Sequence, residues 1–158
     1  MTEMIDAGVV GGQMAVNKDG RIVDVGYTSE LKVKVTSEHI DLFAKVSGDY
    51  NPIHVDEEYA KKSRFGRRIA HGMLSAGFIS RALVDGLNGE GIYLSQNLKF
   101  VNPVFIDDEL VVKLLVTNLR RDAKKELITV STNIEKSTGE LVVKGEAIIL
   151  IDLVQKSV

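Results

Sequence analysis

The chain has 158 residues, 44% of them hydrophobic and 27% charged, which is the composition of one globular domain that can bury a core of its own. It contains no cysteine, and this excludes a disulfide framework, thiolate catalysis and a zinc site built on cysteines. The formal charge of −2 favours neither nucleic acid nor an anionic membrane as a partner.

The first thirty residues have little periodic pattern, and glycines and a turn-like Asn-Lys-Asp-Gly interrupt them. We expect residues 1–30 to be an N-terminal extension or an edge strand, and residues 31–158 to be the single folded domain. The chain starts with acidic rather than basic residues, and no apolar run approaches the ~20 residues that span a bilayer. The cytoplasm is therefore the expected compartment.

A strand and a short helix follow this lead. Residues 31–35 (LKVKV) alternate apolar and basic side chains, which predicts a half-buried strand. Thr36 or Ser37 then caps a helix, because both are favoured N-cap residues in front of an amphipathic run. Gly48 is expected to end this helix.

A turn and a basic loop come next. Asn51-Pro52 predicts an extended turn, since the residue before a proline is pushed away from the helical region. Asp56 can cap a second short helix. Residues 61–68 (KKSRFGRR) form a basic loop.

Residues 72–87 predict a helix that is apolar almost all round. Only Arg81 and Asp85 carry charge in this segment. A helix of this kind belongs inside a protein. Small residues at Ser75, Gly77 and Ser80 would let a backbone or a substrate approach it closely.

Beyond residue 91 the hydrophobic period changes to two, which is typical of strands. One face of the first strand is predicted to carry Ile92, Leu94, Gln96, Leu98 and Phe100. Further strands are predicted at residues 109–119, 126–135 and 141–153, with a hairpin turn at Thr138-Gly139. One buried helix followed by an antiparallel meander predicts an α+β fold in which the sheet wraps around the helix.

The segment with the most chemistry contains Asp49 and His54, five residues apart, with Gly48 before the acid and Asn51-Pro52 between them. A helix that ends at Gly48 leaves Asp49 just beyond it, and the turn can fold His54 back toward the carboxylate. A carboxylate and an imidazole in one small volume suit general acid–base catalysis. By themselves these are common loop sequences, so a capping Asp49 and a buried structural His54 stay open as alternatives.

The order of motifs resembles the (R)-specific enoyl-CoA hydratases of the MaoC-like dehydratase family. The resemblance rests on residues 47–54 (SGDYNPIH), 64–66 (RFG), 69–73 (IAHGM), 92–100 (IYLSQNLKF) and 103–104 (PV), and it extends from about residue 31 to residue 150. It implies a hot-dog fold, with an antiparallel sheet wrapped around a long central helix. It also implies a homodimer, a thioester substrate in a tunnel near the subunit interface, and neither metal nor cofactor.

The resemblance also implies roles for individual residues. Asp49 and His54 match the catalytic pair, and Gly72 matches the residue whose backbone amide binds the thioester oxygen. Ser80 matches a pocket serine, and Leu83 matches a residue that limits acyl length. The physics agrees for Gly72, because an amide at a helix N-terminus stabilises a developing oxyanion.

Several polar residues have two interpretations. Arg64, Arg67 and Arg68 are candidate contacts for the phosphates of CoA, although charge runs are often solvated surfaces, and Arg68 stands where relatives often have proline. Asn51 either orients His54, binds substrate or only shapes its turn. Two other histidines are weaker candidates. His71, beside the motif glycine, either supports the catalytic pair or only shapes the loop, and the structural role is favoured. His39, on the first helix, is expected to be solvated.

Three alternatives to an enoyl-CoA hydratase remain. The same chemistry could act on acyl carrier protein, because a basic loop suits an acidic carrier equally well. A hot-dog thioesterase would hydrolyse the thioester instead of hydrating the alkene. A non-catalytic acyl-thioester binding module would not need both Asp49 and His54. Neither a nucleic acid nor a membrane is an expected partner.

Overall fold

The computed structural model describes residues 22–87 and 91–153. Within these ranges a strand is followed by four helices and then by four strands. The strands are β1 (Thr28–Lys34), β2 (Ile92–Phe100), β3 (Glu109–Arg121), β4 (Lys125–Lys136) and β5 (Leu141–Asp152). The helices are α1 (Ser37–Ser47), α2 (Pro52–Val55), α3 (Glu57–Lys61) and α4 (Gly72–Gly86). Residues 1–21 of the predicted N-terminal extension lie outside the described ranges.

The strands form one antiparallel sheet in the order β1-β3-β4-β5-β2, and α4 packs against β1 and β3. The predicted α+β arrangement, with the sheet around a central helix, is confirmed. The predicted strands at 109–119, 126–135 and 141–153 are also confirmed to within two residues at each end. Gly139, at φ 93°, lies in the predicted turn between β4 and β5, where its lack of a side chain permits the left-handed backbone.

The hydrophobic core lies between α4 and the inward face of the sheet. Alternate residues of β3 and β4, among them Val112 and Val130, are fully buried, as a half-buried strand requires. Ile79 and Leu83 of α4 belong to the same core. No helix in the described ranges has both the length and the apolar character needed to cross a membrane.

The prediction that Ile92, Leu94, Gln96, Leu98 and Phe100 share one face of β2 is wrong. The pairing of β2 with β5 shifts between Tyr93 and Ser95, so an extra residue is inserted there. A β-bulge changes the alternation of faces, because the side-chain period along a strand is two. Ile92, opposite Leu150 of β5, is therefore on the other face of the sheet from Phe100.

Helix α4 has only one buried face in the single chain. Leu74, Ile79 and Leu83 face the sheet, whereas Met73 and Val84 are more than half exposed. The apolar sequence of this helix predicts burial on all sides, so its outer face lacks an apolar neighbour among the described residues.

At the turn Asn51-Pro52 the backbone of Asn51 is extended as predicted (φ −52°, ψ 125°), but the helix that follows was not predicted. Pro52 is the first residue of the one-turn helix α2, and the Asn51 side chain accepts a hydrogen bond from the backbone N–H of Ile53 (3.2 Å). Proline is favoured at this first helical position because its fixed φ suits a helix and no N–H is needed there. The expected cap of the next helix is confirmed, since Asp56 Oδ1 accepts from the N–H of Tyr59 (3.0 Å).

Candidate active site

Asp49 is placed by the end of α1. Gly48 closes the helix with φ 77°, a left-handed conformation that favours glycine, and its N–H donates to the carbonyl of Ala44. The N–H of Asp49 donates to Ser47 Oγ (3.1 Å), and Asp49 Oδ1 accepts from the N–H of Asn51 (3.1 Å). These local bonds hold an exposed carboxylate at the start of the loop that leads to α2.

His54 is placed by α2 and by the chain that precedes α4. Its side chain is 9% exposed, and Nδ1 lies 2.8 Å from the carbonyl oxygen of Ile69. A carbonyl can only accept, so Nδ1 carries the hydrogen, and the neutral ring has its lone pair on Nε2. The expected return of His54 toward Asp49 is observed, because one polar side-chain atom from each of Asp49, His54 and His71 lies within 4.8 Å of the other two.

The pKa of the His54 imidazole is lowered from its ordinary value, chiefly because burial disfavours the charged ring. The neighbouring His71 ring and the Arg68 guanidinium lower the pKa further, whereas the bond to Ile69 and the charge of Asp49 oppose the shift. His54 is therefore mostly neutral at pH 7, with Nε2 able to accept a proton.

Gly72 begins α4, and His71 is the N-cap residue without making a side-chain cap. The first amides of a helix have no intrahelical acceptor, so the N–H of Gly72 is available to a ligand at the positive end of the helix dipole. A Cβ at this position would lie 2.9 Å from Cε1 of Phe100. A side chain at position 72 would therefore require the Phe100 ring or the start of α4 to shift, which favours glycine here.

These groups meet at a cavity of about 400 Å³. Asp49, His54 and His71 are polar residues of its lining, together with Arg64, Ser75 and Asn102, and Gly72 borders it. The remaining wall is largely apolar and includes Met73, Phe100, Val101, Val104 and Val143. A cavity with a few convergent polar groups in an apolar wall is typical of a small-molecule site.

The three arginines of the basic loop have different environments. Arg64 lines the cavity, and its guanidinium lies over the ring of Phe65. Arg67 stacks on Phe105 with 4.0 Å between Cζ and the ring centroid. Arg68 is largely buried; it pairs with Asp41 (2.8 Å) and donates from Nε to the carbonyl oxygen of His54. Of the three, Arg64 is the arginine at the cavity.

Three other candidate residues do not line the cavity of the single chain. Asn51 caps α2, Ser80 lies on the exposed outer face of α4, and Leu83 is 4% exposed in the core. The roles of Ser80 and Leu83 in acyl binding stay predictions. Ser75, which is 2% exposed, lines the cavity in their place.

Two histidines have environments different from the ones that the sequence predicts. His71 is 2% exposed, and its Nε2 lies 2.9 Å from the carbonyl oxygen of Asp49, so it belongs to the site. The sequence signal for this role is that His71 directly precedes Gly72, the glycine expected to bind the thioester oxygen. His39 is half-buried rather than solvated; its Nδ1 accepts from the N–H of Thr36 (3.2 Å) and completes a capping box.

The spacing of Asp49, His54 and His71 is one that a metal ion could bridge. However, the two imidazole rings stack, with centroids 3.9 Å apart and planes inclined by 30°. A metal needs ring lone pairs that converge on one point, and stacked rings hold theirs side by side. The arrangement suits hydrogen bonding and proton transfer better than metal coordination.

Comparison with known proteins gives a consistent picture. A family model described as MaoC like domain matches residues 20–139. The chain is 40% identical over 128 residues to the (R)-specific enoyl-CoA hydratase of Aeromonas caviae, covering 80% of this chain and 94% of the relative. It is 39% identical over 126 residues to a mitochondrial 3-hydroxyacyl-[acyl-carrier-protein] dehydratase of Arabidopsis thaliana, covering 77% and 75%. The unliganded R-hydratase of Pseudomonas aeruginosa aligns with a TM-score of 0.75 at 34% identity, covering 87% of this chain and 90% of that one.

Proposed function

The chain belongs to the MaoC-like domain family, and from that premise we propose that it is a hydro-lyase that adds water reversibly to trans-2-enoyl-CoA to give (R)-3-hydroxyacyl-CoA. The observation that supports this most directly is the meeting of Asp49, His54 and the N–H end of α4 at one cavity. The (R) configuration rests on the similarity to (R)-specific hydratases.

In the proposed reaction, Asp49 and His54 share one water molecule. The lone pair of His54 Nε2 orients the water, and the Asp49 carboxylate takes one of its protons as the oxygen bonds to C3. The electrons of the double bond move to the thioester oxygen. The proton then passes from Asp49 through Nε2 of His54 to C2, where the returning electron pair forms the C–H bond, and Asp49 is again a carboxylate. The atoms of one water are thus added, and the reverse sequence removes them.

The N–H of Gly72 is the proposed donor to the thioester oxygen. Negative charge develops on that oxygen as water adds, and a fixed amide at a helix N-terminus stabilises it without reorganisation. The ring of Phe100 occupies the space that a side chain at position 72 would take, and both residues border the cavity. The apolar wall of the cavity suits the acyl chain.

A homodimer is the proposed assembly. The sheet edge formed by β2 is open among the described residues, and Ile92 and Leu94 on it are about half exposed. Met73 and Val84 on the outer face of α4 are exposed as well. Open edges and apolar surfaces favour association, and light scattering after gel filtration should give the mass of two chains.

The test of function is incubation of the protein with crotonyl-CoA. Loss of absorbance at the enoyl band, without release of free thiol, is the expected result of hydration. Chiral chromatography of the product should give the (R)-3-hydroxybutyryl thioester. Thiol release would instead indicate a thioesterase, and binding without any spectral change would indicate a non-catalytic module.

The second candidate substrate is the same acyl group on acyl carrier protein. The similarity to a plant dehydratase of that name supports it. Comparing kcat/KM for one acyl chain on CoA and on carrier protein distinguishes the two. We expect CoA to be preferred, because the (R)-specific enoyl-CoA hydratase of Aeromonas caviae matches this chain over 94% of its own length and the plant dehydratase over 75%.

Arg64→Ala should raise KM for a CoA substrate by roughly 2- to 5-fold with little change in kcat, as expected when a screened ion pair of up to about 1 kcal/mol is lost. The effect should shrink as salt is added. The matched control is Arg120→Ala. Arg120 is exposed and lies near the end of β3, opposite Leu127 of β4, at the end of the strand far from the cavity. Equal KM values for the two variants would identify Arg64 as a solvated residue.

Leu83→Ala tests whether Leu83 limits the length of the acyl chain, as a gate to the acyl pocket, or is only a residue of the hydrophobic core. As core it should lose about 2–5 kcal/mol of stability with no change in substrate preference. As a gate it should raise kcat/KM for octenoyl-CoA relative to crotonyl-CoA, by up to about 0.8 kcal/mol for each methylene buried. Ile79→Ala is the control, since Ile79 is fully buried on the same helix and away from the cavity. An unchanged substrate ratio in both variants would rule out the gate.

A further inference from the structure

His71 is a buried histidine, and filling space in the fold does not by itself explain why this position carries an imidazole. It is 2% exposed, and its ring lies between Phe43, at 4.8 Å between centroids, and His54, at 3.9 Å. Its Nδ1 has no hydrogen-bond partner among the described residues. A buried polar atom without a partner is costly, and an aromatic ring without nitrogen would fill this space without that cost.

The other ring nitrogen makes a directed contact with the catalytic loop. His71 Nε2 lies 2.9 Å from the backbone carbonyl of Asp49, 22 positions earlier in the chain. Because the carbonyl only accepts, Nε2 carries the hydrogen and donates it. This bond connects the residue before Gly72 to the residue that bears the proposed base.

The ring face of His71 makes the second contact. It stacks on His54, whose own orientation is set by the bond from Nδ1 to Ile69. The hydrogen bond to Ile69 thus limits rotation of the His54 ring, and the stacked ring of His71 limits its movement on one face. One side chain therefore contacts both members of the proposed acid–base pair and is joined to the helix end that carries the proposed oxyanion donor.

We propose that His71 is a positioning residue that aligns Asp49 and His54 with each other and with the amide of Gly72, through its Nε2–H bond to Asp49 and its stacking on His54. This inference rests on the proposed function of the site. His71 does not need to exchange a proton with the substrate. Its part is to keep the distance between the two acid–base groups constant while the water between them is consumed and replaced.

The ring also affects the ionisation of His54. The charged or polar groups that face His54 are Asp49, Arg68, His71 and the carbonyl of Ile69. His71 is among those that lower the pKa of His54, because two adjacent imidazoles resist being charged together. Removing the imidazole of His71 should therefore raise the pKa of His54, and the acid limb of a pH–rate profile that requires neutral His54 should move to higher pH.

Two substitutions separate the hydrogen bond from the stacked ring. His71→Phe keeps an aromatic ring between Phe43 and His54 but removes the donor to Asp49. His71→Gln can keep an N–H near the position of Nε2 but removes the ring. We expect H71F to lower kcat by about 10- to 100-fold, in line with other residues that orient reactive groups, with KM changed less than about 3-fold. H71Q should retain more of the wild-type kcat than H71F.

The control is His39→Phe, because His39 is a half-buried histidine outside the cavity. It should leave kcat and the acid limb of the pH–rate profile unchanged. NMR titration of the His54 ring in wild type and in both His71 variants gives a readout that needs no substrate. A raised pKa of His54 in the variants supports the inference, and H71Q carries the test if H71F does not fold.

A wild-type kcat and an unmoved His54 titration in a folded H71F variant would overturn the proposal. So would a lower melting temperature with normal kcat per folded molecule, because that is the result of a structural role alone. Failure of the wild-type protein to hydrate crotonyl-CoA would count against the proposed function. In that case the NMR titration still reports whether His71 controls His54.

Discussion

Replacing His54 by alanine should lower kcat for hydration of crotonyl-CoA by about 10²- to 10⁴-fold, the usual contribution of a general acid–base group. His54 lines the cavity and has Nε2 free to accept a proton, because Nδ1 is bonded to Ile69. His71 does not replace it among the described residues, because its Nε2 donates to the carbonyl of Asp49 and its Nδ1 is fully buried. Asp49→Asn should have an effect of similar size, since asparagine keeps the shape but cannot accept a proton.

The double variant, with Asp49→Asn and His54→Ala combined, tests more directly whether the two groups act together. If Asp49 and His54 act on one water, the second substitution should cost much less than the first, because the unit is already broken. The matched control is Asp56→Asn, an exposed carboxylate seven positions beyond Asp49 that caps α3, a role in which asparagine serves equally well. Independent, multiplying effects of the two substitutions, or near-normal turnover in either single variant, would refute the proposed pair.

Gly72→Ala should lower kcat by about 10²- to 10³-fold, the loss seen when one oxyanion donor is removed. The added methyl group would lie 2.9 Å from the ring of Phe100, so either the helix end or the ring must shift. A shift of the helix end moves the amide away from the thioester oxygen, and KM should change less than kcat.

Gly77→Ala is the control for this substitution. Gly77 lies on the same helix, and a Cβ there meets nothing within 4 Å. Gly77 faces outward, as Met73 and Val84 do, so light scattering must first show that the variant is still a dimer. Alanine should then stabilise the helix by roughly 0.5–1 kcal/mol and leave kcat unchanged. Phe100→Leu in the Gly72→Ala background should restore part of the activity, because it removes the ring atoms that would clash. No difference in kcat between Gly72→Ala and Gly77→Ala would contradict the assignment of the amide.

The roles of the arginines illustrate the limit of reasoning from composition. A run of five basic residues in eight positions (61–68) is visible in the sequence, but its members look alike. In the folded chain Arg68 is nearly buried against Asp41 of α1 and the carbonyl of His54, whereas Arg64 lines the cavity. Which arginine meets a substrate depends on partners that are distant in the chain.

Much of this protein could be predicted from its sequence, because the signals involved are local. The alternation of residues in β3, β4 and β5, the glycine at the end of α1 and the caps at Thr36 and Asp56 act over a few positions. The spacing of Asp49 and His54 around an Asn-Pro turn is local too, and the structure brings the two together as expected.

Other features were decided by the tertiary structure alone. The bulge in β2 depends on its register with β5, and the need for glycine at position 72 depends on Phe100, 28 positions later. The place of His71 in the site depends on Asp49 and His54 from other elements. No local pattern encodes these contacts, because they form only when separate elements pack and their side chains compete for the same space.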